Sequence, residues 1–348
     1  MSQSPIAGPA ETAPVTAGLA APTDLGPTGP LGGGGGLPSR RRFGRESLFR
    51  WFTTASGAVV LVVIVAIAIF LIAKAVPALR ADKANFLTYK DWFPDDPTNP
   101  KFGIAALALG TVEASVLALL LAVPVALGIA LCLTHYAHRR VASALGFVID
   151  LLAAVPSIVF GLWGRDYFYK PVQDFSAWLH RYFGWIPLFG SGGPYGKSVL
   201  LGSAVLAIMI LPIITSLSSE VFRQTPKMNE EAALALGATK WEMIRMAVLP
   251  YGRPGLIASV MLGLGRALGE TIALALTLGA TYTFSIDLIE NGGNSIAANI
   301  ANKFGEASET GRGALIASGL VLFAITLVVN MIARLIVYRR REFIGSAA

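Results

Sequence analysis

Between Gly263 and Ala280 the chain reads GLGRALGETIALALTLGA, and two side chains in it could act on charge, Arg266 and Glu270. A guanidinium is a planar fork of N–H donors that matches two oxygens of an oxyanion. A carboxylate four residues further on shares a helix face with it and can pair with it. Two roles fit this spacing. The pair could be a neutral bridge that fixes helix packing. Alternatively, Arg266 supplies positive potential along the route of an anion, while Glu270 orients it and limits how tightly the anion is held.

A second group of residues is built for contact. The stretch 221–254 reads VFRQTPKMNEEAALALGATKWEMIRMAVLPYGRP. Thr225 followed by Pro226 predicts a helix start, with a side-chain cap and proline at the first helical position. Good helix formers run through Glu230, Glu231, Ala232, Ala233 and Leu236 to Gly237, a residue suited to ending a helix. Thr239 with Glu242 three residues later is a capping box that opens a second helix, expected to end near Pro250. Two short helices then meet at a glycine corner, and Ala232 and Ala233 keep the first slim enough to enter a groove on another protein.

The elements that hold these groups are membrane helices. Of 348 residues, 54% are hydrophobic and 14% charged, where a soluble domain carries about 25% charged residues. Mean hydropathy is +0.62. A helix crossing the roughly 30 Å hydrocarbon layer needs about 20 mostly apolar residues. Six segments qualify: Trp51–Ala73, Phe102–Thr134, Val141–Gly164, Ser198–Ser219, Pro254–Ile286 and Gly313–Ala333. In this setting each charge at mid-membrane costs on the order of 3 kcal/mol, so Arg266 and Glu270 must face protein or a water-filled path. Glu113 and Asp150, the lone acids of the second and third spans, are expected in packing or interfacial positions.

Positive charge sets the orientation. With the N-terminus in the cytoplasm, 16 Lys and Arg fall inside and 11 outside, leaving Arg266 in the membrane. The clusters at 40–42, 139–140 and 339–341 all adjoin span ends on the inner side, so both termini are expected to be cytoplasmic. The net charge of +7 is then an excess of cytoplasmic Lys and Arg rather than a nucleic-acid surface. Residues 1–44 form an expected disordered tail, rich in Pro, Gly, Ala and Thr, with five consecutive glycines at Gly32–Gly36. A membrane domain is expected over 45–348, with 220–253 as its one large inner loop.

Several motifs are discarded. SGGPYGKS at 191–198 has Ser191 where a phosphate-binding loop needs its first glycine. His135 and His138 lack a third ligand, so no metal site is expected. Cys132 stands alone, without a disulfide partner. No Ser–His–acid or paired-carboxylate set is evident, so the chain is not expected to be an enzyme or to carry a cofactor.

Glu231-Ala232-Ala233, Gly237 and Leu249-Pro250 resemble the EAA loop of ABC importer permeases, with Ala247 where that pattern has isoleucine. LLAAVPSIVFGLWG (151–164) and LGLGRALGETIALALTLG (262–279) are similar to the phosphate-specific ABC permeases, PstC-type more than PstA-type. The resemblance covers about residues 45–345 and implies an all-α MetI-like core of six transmembrane helices in the cell membrane. It also implies a PstA-type permease partner, two cytoplasmic ATP-binding subunits and an extracytoplasmic phosphate-binding protein. By the same resemblance Glu230, Glu231, Ala232, Ala233 and Gly237 couple the chain to the ATPase, while Arg266 and Glu270 serve transport of phosphate. The alternatives are a permease for another oxyanion, and a stand-alone channel or ion-coupled transporter using the buried charges as a relay.

Overall fold

In the computed structural model the described residues are 43–345, with side chains described for 48–335. The tail expected over 1–44 lies almost wholly outside them. Chain contacts separate the residues up to Val59, which include the first part of α1, from a main unit, Val60–Ala348, to which the packing and the sites described below belong.

The long helix α1 runs Phe43–Ala81. A two-residue hairpin, β1 (Trp92–Phe93) and β2 (Lys101–Phe102), leads into α2, Ala105–Leu131, which widens at its end into a π-turn, Cys132–Tyr136. Then follow α3 (Arg139–Ala153), α4 (Ser157–Trp163) and α5 (Tyr169–Phe183). Helix α6 (Val199–Arg223) precedes the corner helices α7 (Lys227–Ala235) and α8 (Lys240–Met243). A second π-turn, Ile244–Val248, carries α8 into α9 (Leu249–Leu268). The chain closes with α10 (Ile272–Thr277), α11 (Ile296–Lys303) and α12 (Glu309–Gly345). Among the described residues five helical stretches are long and apolar enough to span a membrane, or six if a bent pair is one span.

The centre of the unit is the seam between α2 and α6. Ala114, Ala118, Ala122, Ala126 and Ala130 recur every fourth residue on α2, each 0–1% exposed. This spacing lines one helical face, and four of these alanines share a core cluster with Leu206, Ile210 and Ile214 of α6. Lipid tails are as apolar as leucine, so membrane helices gain most from backbones brought close by small side chains. Helix α6 is the most enclosed span, with 72% of its apolar window buried against 17% for α12. Ser218 of α6 and Ser259 of α9 share a hydrogen bond of 3.0 Å across the next interface.

Three expectations are corrected. The third span is not straight: α3 and the α4–α5 arm are bent by 90°. Pro156 lacks an N–H and disfavours helical geometry at the residue before it, and Ala154-Val155 forms the turn. The helix opened by Thr239 does not end near Pro250. It continues through the π-turn and past Pro250 and Pro254 to Leu268, because Pro250 sits in the first turn of α9, where the missing N–H is tolerated. The fifth span, expected over Pro254–Ile286, is helical only to Leu268. Gly269 caps α9, α10 adds six residues, and the chain from Leu278 to Ile289 is non-helical.

The segments expected as outer loops close one end of the unit by long-range hydrogen bonds. Asp95 Oδ1 accepts from the Ser308 N–H at 2.9 Å and Asp287 Oδ2 from the Ser191 N–H at 2.6 Å. Thr111 Oγ1 on α2 accepts from the Ile296 N–H at 3.0 Å, pinning the start of α11 to the α2 seam.

Candidate translocation and coupling sites

Arg266 lies in the last turn of α9 and is exposed. It stands 13 residues beyond Arg253 on the same helix, about 20 Å at 1.5 Å per residue. A charged side chain facing lipid that far along a span is costly, so the face bearing Arg266 is expected to meet protein or water.

Glu270 is not on that helix. Because α9 ends at Leu268, the expected shared face of residues 266 and 270 does not form. The ion pairs among the described residues are His135–Glu230 and Arg165–Asp166, and neither includes Arg266. Glu270 is only 8% exposed, and its Oε1 accepts from the Ala273 N–H at 3.3 Å. It therefore bonds the first turn of α10 beside the break between the two helices, and Arg266 makes no ion pair among the described residues.

Asp150 makes a contact between α3 and α6. It is 11 residues beyond Arg139 on α3, about 16 Å along the axis. It is exposed, and accepts from Ser216 Oγ of α6 at 3.2 Å. Glu113 is half-buried beside a small cleft with Thr283, Ser285, Asp287 and Glu290.

The corner at Gly237 has the expected form. Gly237 has φ +88°; its N–H donates to Leu234 O at 2.9 Å, and that of Ala238 to Ala233 O at 3.2 Å. These two bonds are the Schellman pattern, which needs a left-handed residue at the glycine position. The capping box is formed in full: Thr239 N–H donates to Glu242 Oε2 at 2.8 Å, and Glu242 N–H to Thr239 Oγ1 at 3.4 Å. The cap expected from Thr225 is not formed. Pro226 occupies the cap position of α7 without a side-chain bond, and Thr225 Oγ1 is buried without a partner.

Around the corner, Met228, Leu236 and Trp241 are 79%, 90% and 55% exposed. Glu231 and Ala232 are also exposed, whereas Ala233 is partly buried and packs against the cluster that contains Ile244, Val248 and Phe222. Glu230 turns inward to His135, with Nε2 and Oε1 3.7 Å apart. Sequence reasoning missed this pairing, because a histidine at the end of an apolar run also suits an interface. His138 serves elsewhere, its Nδ1 accepting from the Arg140 N–H at the start of α3.

The family described as "Binding-protein-dependent transport system inner membrane component" matches residues 122–342. The chain is 47% identical over 303 residues to "Phosphate transport system permease protein PstC 2" of Mycobacterium tuberculosis, covering 86% of this chain and 93% of that protein. It is 41% identical over 298 residues to "Phosphate transport system permease protein PstC" of Xylella fastidiosa, covering 84% and 91%. Among solved structures, a bacterial ABC transporter involved in the import of the acidic polysaccharide alginate is similar in fold. There the TM-score is 0.52 at 16% identity, covering 84% of this chain and 99% of that one.

Proposed function

The chain belongs to the binding-protein-dependent inner membrane transport components, and from that membership we propose that it is the membrane permease subunit of an ATP-driven importer of inorganic phosphate. The observation that carries the reading is the α7–α8 corner. It is a pair of short helices, joined by the Schellman turn at Gly237 and the Thr239–Glu242 capping box, that leaves Met228, Leu236 and Trp241 exposed. Large exposed apolar side chains beside such a corner suit a contact with another protein. A cytoplasmic ATP-binding subunit is the partner that an importer of this family needs there. A self-sufficient channel or ion-coupled transporter has no use for such a corner.

In this reading residues 45–348 are one permease domain preceded by a tail at 1–44. Both termini and the corner face the cytoplasm. A PstA-type permease covers the exposed side of α9 that bears Arg266, two ATP-binding subunits hydrolyse ATP, and an extracytoplasmic binding protein delivers phosphate. Arg266 supplies positive potential to the passing anion, and Glu270 bonds the first turn of α10 beside the α9–α10 break. Glu231, Ala232 and Gly237 shape the ATPase contact, with Ala233 seating α7 and Glu230 facing inward.

ATP-dependent uptake of radiolabelled phosphate by proteoliposomes holding the full complex tests the function, with sulfate as a competing oxyanion. Uptake without ATP, or a preference for sulfate, would refute it. Orientation has its own test: a cysteine at Ser39 or Ser346 is expected to react only with reagents that enter the cytoplasm, and one at Asp95 from outside. Labelling of all three from one side overturns the topology.

Coupling is tested at the corner. A Cβ at Gly237 meets nothing within 4 Å, so Gly237→Val acts through backbone strain alone, about 1–3 kcal/mol for a β-branched residue at positive φ. It is expected to leave the chain in the membrane while lowering phosphate uptake per ATP hydrolysed. Glu231→Lys is expected to weaken ATPase co-purification. Normal behaviour of both variants removes the coupling assignment.

A further inference from the structure

Beneath α7 lies a contact that ATPase docking does not require. The π-turn Cys132–Tyr136 at the end of α2 is wider than an α-helical turn, a local expansion found often at functional sites. It presents His135 and Tyr136 to the corner helices. The His135 side chain is 7% exposed, and its Nε2 is 3.7 Å from Glu230 Oε1 of α7. Its Nδ1 is 2.7 Å from Thr134 Oγ1, and its ring meets Phe222 of α6 edge-on at 6.4 Å. Beside it, Lys240 Nζ of α8 lies 5.2 Å from the centre of the Tyr136 ring. So α7 and α8, on either side of Gly237, are both held to the same turn of α2.

Packing does not need this polar link. Ala130, Phe222, Met243, Ile244, Val248 and Leu256 already form an apolar cluster, with Ala233 resting on it. An imidazole in a nearly enclosed place must keep its polar partners, since a buried group left without one is strongly destabilising. The adjacent acids divide the work: Glu231 is exposed, while Glu230 reaches inward.

We propose that the π-turn of α2 is the receiver of the coupling movement, with His135 held by Glu230 and Tyr136 held by Lys240. A shift of the α7–α8 corner then reaches α2 directly, without travelling along the chain through α6 or α9. His135 is on this account a positioning residue for transport. The inference rests on the importer reading.

The test uses the full complex in proteoliposomes, with ATP hydrolysis and radiolabelled phosphate uptake followed on the same vesicles. His135→Phe keeps a ring against Phe222 and removes the polar link. Its ATP hydrolysis is expected to stay near wild type, while phosphate imported per ATP falls about fivefold or more, the lower end of energetic coupling between sites. His135→Lys, which keeps a donor toward Glu230, is expected to recover most of the ratio. A wild-type ratio in His135→Phe overturns the receiver role. So does a parallel loss of hydrolysis, uptake and thermal stability, the mark of a merely structural side chain. Failure of wild-type vesicles to take up phosphate with ATP would instead remove the importer reading itself.

Discussion

Arg266→Gln is expected to abolish phosphate uptake in a complex that still assembles and binds its ATPase. The guanidinium is exposed on the chain, deep along α9, and makes no ion pair among the described residues. Its positive charge is therefore unspent, and no internal carboxylate must be displaced before an anion can use it. Loss of one well-placed donor to an anion in a water-poor site costs about 3 kcal/mol, roughly a hundredfold in rate. Arg266→Lys keeps the charge but loses the planar fork, so partial uptake is expected. Glu270 sharpens the test. Were the two residues a neutral bridge, changing both to Gln would restore what either change alone disturbs. With α9 ending at Leu268 and Glu270 bonded to the first turn of α10, the double variant is expected to be as inactive as Arg266→Gln. Recovery of uptake in the double variant would return the pair to a packing role.

The second large effect is on folding. A Cβ at Gly110 of α2 would run into the backbone carbonyl of Asn294, just where Ile296 N–H bonds Thr111 Oγ1. Neither backbone can yield easily: α2 is held by its alanine seam, and Asn294 is buried, its Oδ1 bonded to the Ser295 N–H at 2.9 Å. Overpacking of this kind typically costs about 1–3 kcal/mol, occasionally more. Gly110→Leu is expected to remove most of the chain from the membrane, and Gly110→Ala to lower its Tm. Gly128, on the same helix, has nothing within 4 Å of a Cβ. Gly128→Ala is expected to be neutral or slightly stabilising, as alanine favours a helix interior over glycine. Immunoblotting of membranes and thermal unfolding in detergent measure both. Equal behaviour of Gly110→Ala and Gly128→Ala would show that the segment around Asn294 is not seated on α2.

What was legible in the sequence followed from local chemistry. Apolar length located the spans, and the Gly237 terminator and the Thr239–Glu242 box were read correctly because caps are set within a few residues. What was not legible depended on tertiary context. Pro156 broke its span while Pro250 did not, since a preceding π-turn and a place in the first turn of α9 excuse a missing N–H; Pro254 lies inside α9 without breaking it. Hydropathy alone could not show that the apolar run 269–286 leaves the helix, because α10 and the chain after it are packed in the protein, with Ala273, Leu274 and Leu278 at most 2% exposed. The candidate residues were found by type, but two changed partners. Glu270 bonds the first turn of α10, and Glu230 became the partner of a histidine set aside as interfacial.

The right-angled break after α3 bears on how the chain is made. Helix α3, at 15 residues, is about 22 Å long and too short to cross the bilayer by itself. The glycines of the arm that follows are seated by parts synthesised later: Gly161 against Ala273 and Leu276, and Gly164 against Val205 and Thr277. As the ribosome finishes α5, then, the arm has its proline turn but not the later parts that seat its glycines. Assembly of the arm depends on α6 and α10, and chains truncated before Ile272 are expected to be cleared faster than the full chain.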